Sequence, residues 1–378
     1  MKSPSLALLV ASTLTLGLIS VDAHADGSGT FGKTLVKRGK GVNAAAFGVG
    51  LSGRLAGAAS SPVAAATIAV SDLPAGAVIQ NAYLYWVTYG TAGHPTITLD
   101  GTAVTGTAIG SSQGTCWTEY PSFLNFTYRA DVTATFTGNG SHTLTDFPSG
   151  AADADTQGAT LFVVYTDPAA TTGGHVLLYD GAMTSRSTSS VSGTFADVQP
   201  PAVISSVRFM VGVGDGESVL PDGALRVREK PLSFPPPGGQ HFRGSAGNYW
   251  DDRSYDVSEH VDASHTSVGW RATFSQDCLV FAYAALTIQS PTVPTETTDP
   301  DAGDGSSSGS SGSTGSSGAS GSSNGGADAD GGSDDAAGGA APDAVSGCGC
   351  RFTEAETRYA PAAIVVAGLA LARLRRRR

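Results

Sequence analysis

Ala77-Val-Ile-Gln-Asn-Ala-Tyr-Leu-Tyr-Trp-Val-Thr88 decides the fold class. The stretch is aromatic and β-branched, with Pro74-Ala-Gly76 before it and Gly90 after it. That composition between turn residues predicts a strand. Leu84 and Trp86 share one face of it and Tyr83 and Tyr85 the other, so one pair must point into a core. Further runs lie at Leu161-Phe-Val-Val-Tyr165, at residues 175–179, 203–213 and 278–288. The runs at 161–165 and 278–288 are almost continuously apolar, as expected of central strands covered on both faces. Thr96-Ile-Thr-Leu99, Asp100-Gly101 and Thr102-Ala-Val-Thr105 read as a hairpin, because Asp-Gly supplies the positive φ angles of a type I′ turn. No helix longer than two turns is predicted before the C-terminal region, so the expectation is all-β.

A weak repeat divides this region. Tyr128-Arg-Ala-Asp131-Val132-Thr133, then His142, then Gly158 to Tyr165 parallel Tyr255-Asp256-Val257-Ser258, His265 and Asp277 to Tyr283. Asp before Val-Thr or Val-Ser suits a strand end whose carboxylate caps the next turn. The expectation is one or two jelly-roll-like β-sandwiches, with halves at 26–181 and 182–290. The Asp-Val-Thr segment resembles that of galactose-binding-type jelly rolls, the carbohydrate-binding sandwiches attached to many glycosidases. The whole of about 31–289 is similar to a domain family of unassigned function in secreted bacterial and archaeal surface proteins. The matching pieces are Ala82-Tyr-Leu-Tyr-Trp86, Tyr128 to Val132, Gly158 to Pro168 and Trp250-Asp251 with Tyr255 to Val257. These resemblances imply a fold and a location, and no reaction.

The flanks give the address. Residues 1–25 read as a secretory signal peptide: Lys2, an apolar stretch over 6–19, and Ala23-His24-Ala25 as the cleavage site, so the mature chain begins at Asp26. Residues 291–345 are mostly Gly, Ser, Ala, Thr, Pro and Asp, with no aromatic, Lys or Arg. Such a segment buries too little apolar surface to offset ordering entropy and is expected to be a disordered stalk reaching roughly 40 Å.

Residues 346–378 close the chain with Gly347-Cys348-Gly349-Cys350, an apolar run over 360–372 and Arg375 to Arg378. A helix of that length rises roughly 20 Å against a hydrocarbon core of ~30 Å, and the arginines hold its end in the cytoplasm. This three-part order resembles the myxobacterial C-terminal sorting signal of the MYXO-CTERM type. The resemblance implies a membrane protease acting at Cys348 or Cys350 and a product held at the cell surface, lipid-linked through Cys. A plain single-pass anchor through a retained hydrophobic helix is the alternative.

Export places the thiols in an oxidising compartment, so Cys116 and Cys278 are expected to form a disulfide. The formal net charge is −11, and basic residues outside the C-terminus form only short groups, which argues against nucleic acid as a partner.

No catalytic constellation is complete. Gly48-Val-Gly50-Leu-Ser-Gly53 has the spacing of a dinucleotide fingerprint but lacks the βαβ frame that makes it one. Gly110-Ser-Ser112-Gln-Gly114 has the spacing of a nucleophile elbow, yet no helix follows it, and it reads as a Ser/Gly loop. The His residues fall in no metal-ligand frame. Asp153 and Asp155 are weak Ca²⁺ candidates with solvated turn acids as the plainer reading, and no cofactor is expected. Tyr83, Tyr85, Trp86 and Tyr89 cluster on one strand region, with Trp117, Trp250 and Trp270 elsewhere. Such rings can stack on sugars, but a core role is the plainer reading for Leu84 and the Trp residues. The functional expectation is a surface-anchored, non-enzymatic protein for adhesion, matrix or glycan contact. A tethered polysaccharide hydrolase is the first alternative and a structural envelope component the second.

Overall fold

The computed structural model describes residues 29–54, 61–113, 122–151, 153–185, 190–217, 220, 222–233, 240–274 and 277–293. All of them fall in one unit. Their strands, in chain order, are β1 (Gly32–Lys40), β2 (Val42–Gly50), β3 (Ala65–Val70), β4 (Val78–Gly90), β5 (Thr96–Leu99), β6 (Thr102–Thr105), β7 (Thr107–Gln113), β8 (Leu124–Asp131) and β9 (Gly140–Thr145). There follow β10 (Ala154–Thr166), β11 (Gly173–Thr184), β12 (Ser190–Phe195), β13 (Ser206–Gly214), β14 (Asp222–Val227), β15 (Lys230–Pro231), β16 (Trp250–Asp256), β17 (Val268–Phe274) and β18 (Val280–Ser290). No helix occurs among the described residues, and the strand pairs are antiparallel. The described residues are all-β and sandwich-like.

The strands form sheets ordered β3-β9-β5-β6, β2-β10-β4-β8-β7, β1-β11-β18-β13-β16 and β12-β17-β14-β15. Three hydrophobic cores lie between them, so the sheets stack as layers in that order. Ile68, Ile97 and Leu144 of the first sheet meet Leu84, Trp86 and Leu161 of the second. Tyr85, Phe162 and Val164 of the second meet Val176, Ala282 and Tyr283 of the third. Phe209, Phe281 and Leu286 of the third meet Phe195, Leu225 and Trp270 of the fourth.

The two inner sheets are therefore covered on both faces, and this explains their sequences. In β10, Leu161, Val163 and Tyr165 enter one core while Phe162 and Val164 enter the next. β18 lies between β11 and β13 and is buried along nearly its whole length. Apolar residues in unbroken succession are what a strand with no solvent face requires.

The two halves share one topology. In the first, β2-β10-β4-β8 packs on β3-β9-β5-β6; in the second, β11-β18-β13-β16 packs on β12-β17-β14-β15. Counting along the chain, each strand of one set has its counterpart at the same place in the other. β7 and β1 are additions at opposite edges. Strands β1 and β11, from residues before or across 181, lie in the sheet otherwise built from later strands.

The predicted Asp caps carry the same bonds in both copies. Asp131 Oδ1 accepts from the Thr133 amide at 2.9 Å and hydroxyl at 2.6 Å. Asp256 Oδ1 accepts from Ser258 amide and hydroxyl at 2.9 and 2.5 Å. The Thr133 hydroxyl in turn accepts from the Ala82 amide of β4, and the Ser258 hydroxyl from the Val207 amide of β13, each at 2.9 Å. β4 and β13 are counterparts, so the repeated motif pins equivalent strand pairs.

The hairpin at β5–β6 forms as read, with Asp100 at φ 49° and Gly101 at φ 78°. Two readings need correction. Ser112 lies on strand β7 and not on a loop; its hydroxyl is buried against Thr184. His142 and His265 are not equivalent: His142 is inside β9, bonded to Asp100 and the Gly138 carbonyl, whereas His265 precedes β17.

Candidate functional site

The interface between the two inner sheets is a seam crossed by polar bonds. Asp180 of β11 accepts from Tyr85 Oη of β4 and Arg129 Nη1 of β8, each at 2.6 Å. Trp250 Nε1 of β16 donates to Thr160 Oγ1 of β10 at 3.0 Å, and Thr160 donates to Asp252 Oδ2 at 2.6 Å. Tyr283 of β18 donates to the other oxygen of Asp252. Glycine makes this packing fit: a Cβ on Gly158 would stand 2.2 Å from Trp250 Cγ, and one on Gly212 would stand 2.1 Å from Tyr283 Cε1.

Where β2 and β16 meet at the edge of the seam, a groove of about 240 Å3 opens. Phe47 of β2, Tyr165 of β10 and Met210 of β13 give it apolar surface. Arg208, Arg253, Asp252, Ser254 and Asp72 supply charge and hydrogen-bonding groups. Arg208 Nη2 reaches across the seam to the Ala44 carbonyl at 2.6 Å and Asn43 Oδ1 at 3.2 Å, so the guanidinium is held in place. Arg253 is fixed by the His241 carbonyl at 2.7 Å and by Asp251 at 3.3 Å. Burial pushes the Asp252 carboxyl up to about 6, while the Thr160 and Tyr283 hydroxyls pull it back. Concavity, a few convergent polar groups and one perturbed acid make it a candidate binding site.

A second set of acids lies where β13 ends and β14 and β18 begin. Asp215 is buried, with the backbone at φ 69° and Oδ1 without a hydrogen-bond partner. Asp277 is buried too, with Oδ1 accepting from the Cys278 amide at 2.7 Å and Oδ2 unpartnered. Burial first, and then repulsion from Asp222 and Glu217, raises Asp277 to about 8. Burial also raises Asp222 to about 7, against the pull of the Phe242 amide. Asp215 is pushed well above the carboxylate range by burial and by Asp277. Asp215, Asp222 and Asp277 all sit in the protein interior.

The other predicted residues are placed as follows. Trp86, Tyr85, Tyr89, Trp250 and Trp270 are all buried, so they serve the cores and present no stacking surface. Asp153 is exposed while Asp155 turns inward. Both oxygens of Asp155 are engaged, by the Ser52 hydroxyl and by the Gly53 and Gly150 amides, with Arg54 at 3.7 Å. Among the described residues no group of three His, Cys, Asp or Glu could hold a metal. Cys278 is buried just before the last strand. Cys116, Trp117, the segment with Ala25 and Asp26, and Cys348 and Cys350 lie outside the described residues. The groove residues escaped sequence reading because β2 and β16 lie far apart in the chain.

Residues 51–289, more than half of the chain, match the model of a family described as "Protein of unknown function (DUF3344)". No curated protein matches. Two solved structures, of BuGH86 wild type and of a point variant, each in complex with neoagarooctaose, are similar at 10% identity over 68% of this chain, with a TM-score of 0.25. This chain spans 34% of the length of those proteins.

Proposed function

We propose that this chain, which belongs to the DUF3344 family of proteins of unknown function, is an exported, surface-tethered protein that contacts glycan without turning it over. The seam groove carries the reading. Its volume of about 240 Å3 lies just below the ~300–1,000 Å3 of sites for drug-sized ligands. It therefore suits one sugar ring or a chain end. Phe47 and Tyr165 offer apolar surface to a ring, and Arg208, Asp252 and Ser254 offer donors and acceptors to its hydroxyls.

Each half is a jelly roll in this reading. Its eight strands divide between two sheets so that the first lies beside the eighth and the third beside the sixth, as the order β2-β10-β4-β8 exemplifies. The signal peptide, the stalk, processing or lipidation at Cys348 or Cys350, the membrane contact through lipid or helix, and the Cys116–Cys278 bridge belong to the same proposal. They rest on the sequence patterns.

Hydrolysis is the second reading, favoured by one observation. Asp252, with its carboxyl at about 6, shares the groove with Asp72, and paired carboxylates are what glycoside hydrolysis needs. Against it, each oxygen of Asp252 already accepts a bond that ties it into the seam, one from Thr160 and one from Tyr283. The test is to incubate the mature protein with a panel of polysaccharides and measure both retention and new reducing ends. Retention without new ends is expected. New ends that vanish in Asp252→Asn would establish the hydrolase, and neither signal would leave a structural envelope component.

A further inference from the structure

We propose that the outer sheet of the second sandwich is a separate binding face for anionic polysaccharide, meaning chains that carry carboxylate or sulfate groups. An open trough of about 680 Å3 runs over β12, β17 and the β14–β15 turn. Arg228, Arg271 and His265 line it together with the hydroxyls of Ser192, Thr194, Ser264 and Ser267. Register brings the cations together: Arg271 of β17 stands opposite Arg226 of β14 on one side and Ser192 of β12 on the other. Like charges directly opposite on neighbouring strands destabilise a sheet, so the pair opposes folding unless an anion lies between them.

Among the described residues Arg226, Arg228, Lys230 and Arg271 make no ion pair, while His265 is bonded to both Asp262 and Arg228. Arg226 donates to the Glu229 carbonyl at 2.9 Å, Arg228 to the His260 carbonyl at 3.3 Å, and Lys230 to the Glu259 carbonyl at 2.8 Å. Arg271 is exposed and has no bonding partner among the described residues. Glu229 is the one carboxylate in the lining. Meanwhile the chain as a whole has a net charge of −11, so positive charge gathered on one face is contrary to its general composition.

The internal duplication supplies the control. The counterpart sheet in the first sandwich, β3-β9-β5-β6, contains no Lys or Arg and presents Thr67, Ser141, Thr143 and Thr102 outward. An outer sheet of this fold thus needs no arginine to pair or to pack. The arginines of the second copy are surplus to folding, and guanidinium forks with adjacent hydroxyls are suited to carboxylate and sulfate oxygens. The trough lies across a hydrophobic core from the seam, so this inference stands independently of the groove.

The experiment measures retention of the mature protein on polygalacturonate, on dextran sulfate and on neutral dextran, at low and at high salt. Alongside it runs Arg226→Thr/Arg271→Thr, which puts at the opposed pair the residue type that the first face presents and leaves Arg228 and Lys230 in place; Arg271→Gln serves if that variant does not fold. Retention on either polyanion, lost at high salt, is expected, with affinity about tenfold lower or more in the variant, since each charge-assisted bond removed is of that order. Binding to the seam ligand should not change. Wild-type protein that ignores both polyanions, or a folded variant that binds them as well as wild type, would overturn the proposal.

Discussion

Gly158→Ala adds one methyl group at the centre of the seam. The new carbon would stand 2.2 Å from Trp250 Cγ and 2.5 Å from both Cβ and Cδ2. Ordinary carbon contacts are ~3.5–4.0 Å, so Trp250 must retreat by more than ~1 Å. Rotating the indole does not suffice, because the Trp250 Cβ is itself among the close atoms; strand β16 has to move. Overpacking of this kind costs about 1–3 kcal/mol, and strain on the Trp250–Thr160 bond adds about 1 kcal/mol. Replacing glycine by alanine in a strand returns about 0.5–1 kcal/mol. The expected net loss is about 1–3 kcal/mol. Gly32→Ala is the control, since nothing lies within 4 Å of its added carbon. Urea unfolding of the full mature chain reads the difference as a lower midpoint at unchanged slope. Equal midpoints for the two variants would refute the close packing of the two inner sheets.

Other predictions concern charge and covalent state. Asp222 and Asp277, raised to about 7 and about 8, keep protons in the folded chain that the unfolded chain loses near ~3.9, so stability falls as pH rises from ~4 to ~8 and then levels. Asp277→Asn should flatten that slope in thermal melts; an unchanged slope would show that Asp277 ionises normally. Asp180→Asn removes the carboxylate that Tyr85 and Arg129 share across the seam and should cost about 1–3 kcal/mol, whereas a cost near zero in chemical unfolding would make the bond incidental. Non-reducing peptide mapping of the mature chain should join Cys116 to Cys278, and free thiols at both would remove the bridge. Intact mass should begin at Asp26 and end at the Cys348-Gly-Cys350 motif with a lipid; a chain running to Arg378 would make it a plain anchor.

Much of the fold was legible because its signals are local. β4, the β5–β6 hairpin and the continuous runs of β10 and β18 follow from side-chain alternation and turn chemistry. The Asp131 and Asp256 motifs exposed the duplication because a capping carboxylate needs its Thr or Ser two residues on. An apolar run says that both faces are covered and is silent on what covers them. The stacking of the two inner sheets, and with it the burial of Tyr85 opposite Tyr283, was therefore not readable. The groove unites Phe47 with Asp252 through the stacking of two sheets, and the register of β14 on β17 sets Arg226 opposite Arg271. His142 and His265 looked equivalent by order along the chain, yet one is a strand residue and the other precedes its strand.

The seam groove as the glycan contact is tested most directly by titration calorimetry of the mature protein against neutral oligosaccharides from the retained polysaccharides. Ser254→Trp, at an exposed position on the groove wall, fills the space without touching a core. Binding of an oligosaccharide by wild type, abolished in Ser254→Trp at unchanged thermal stability, is the predicted result. Undiminished binding by the blocked variant, or no heat from any oligosaccharide, would contradict it.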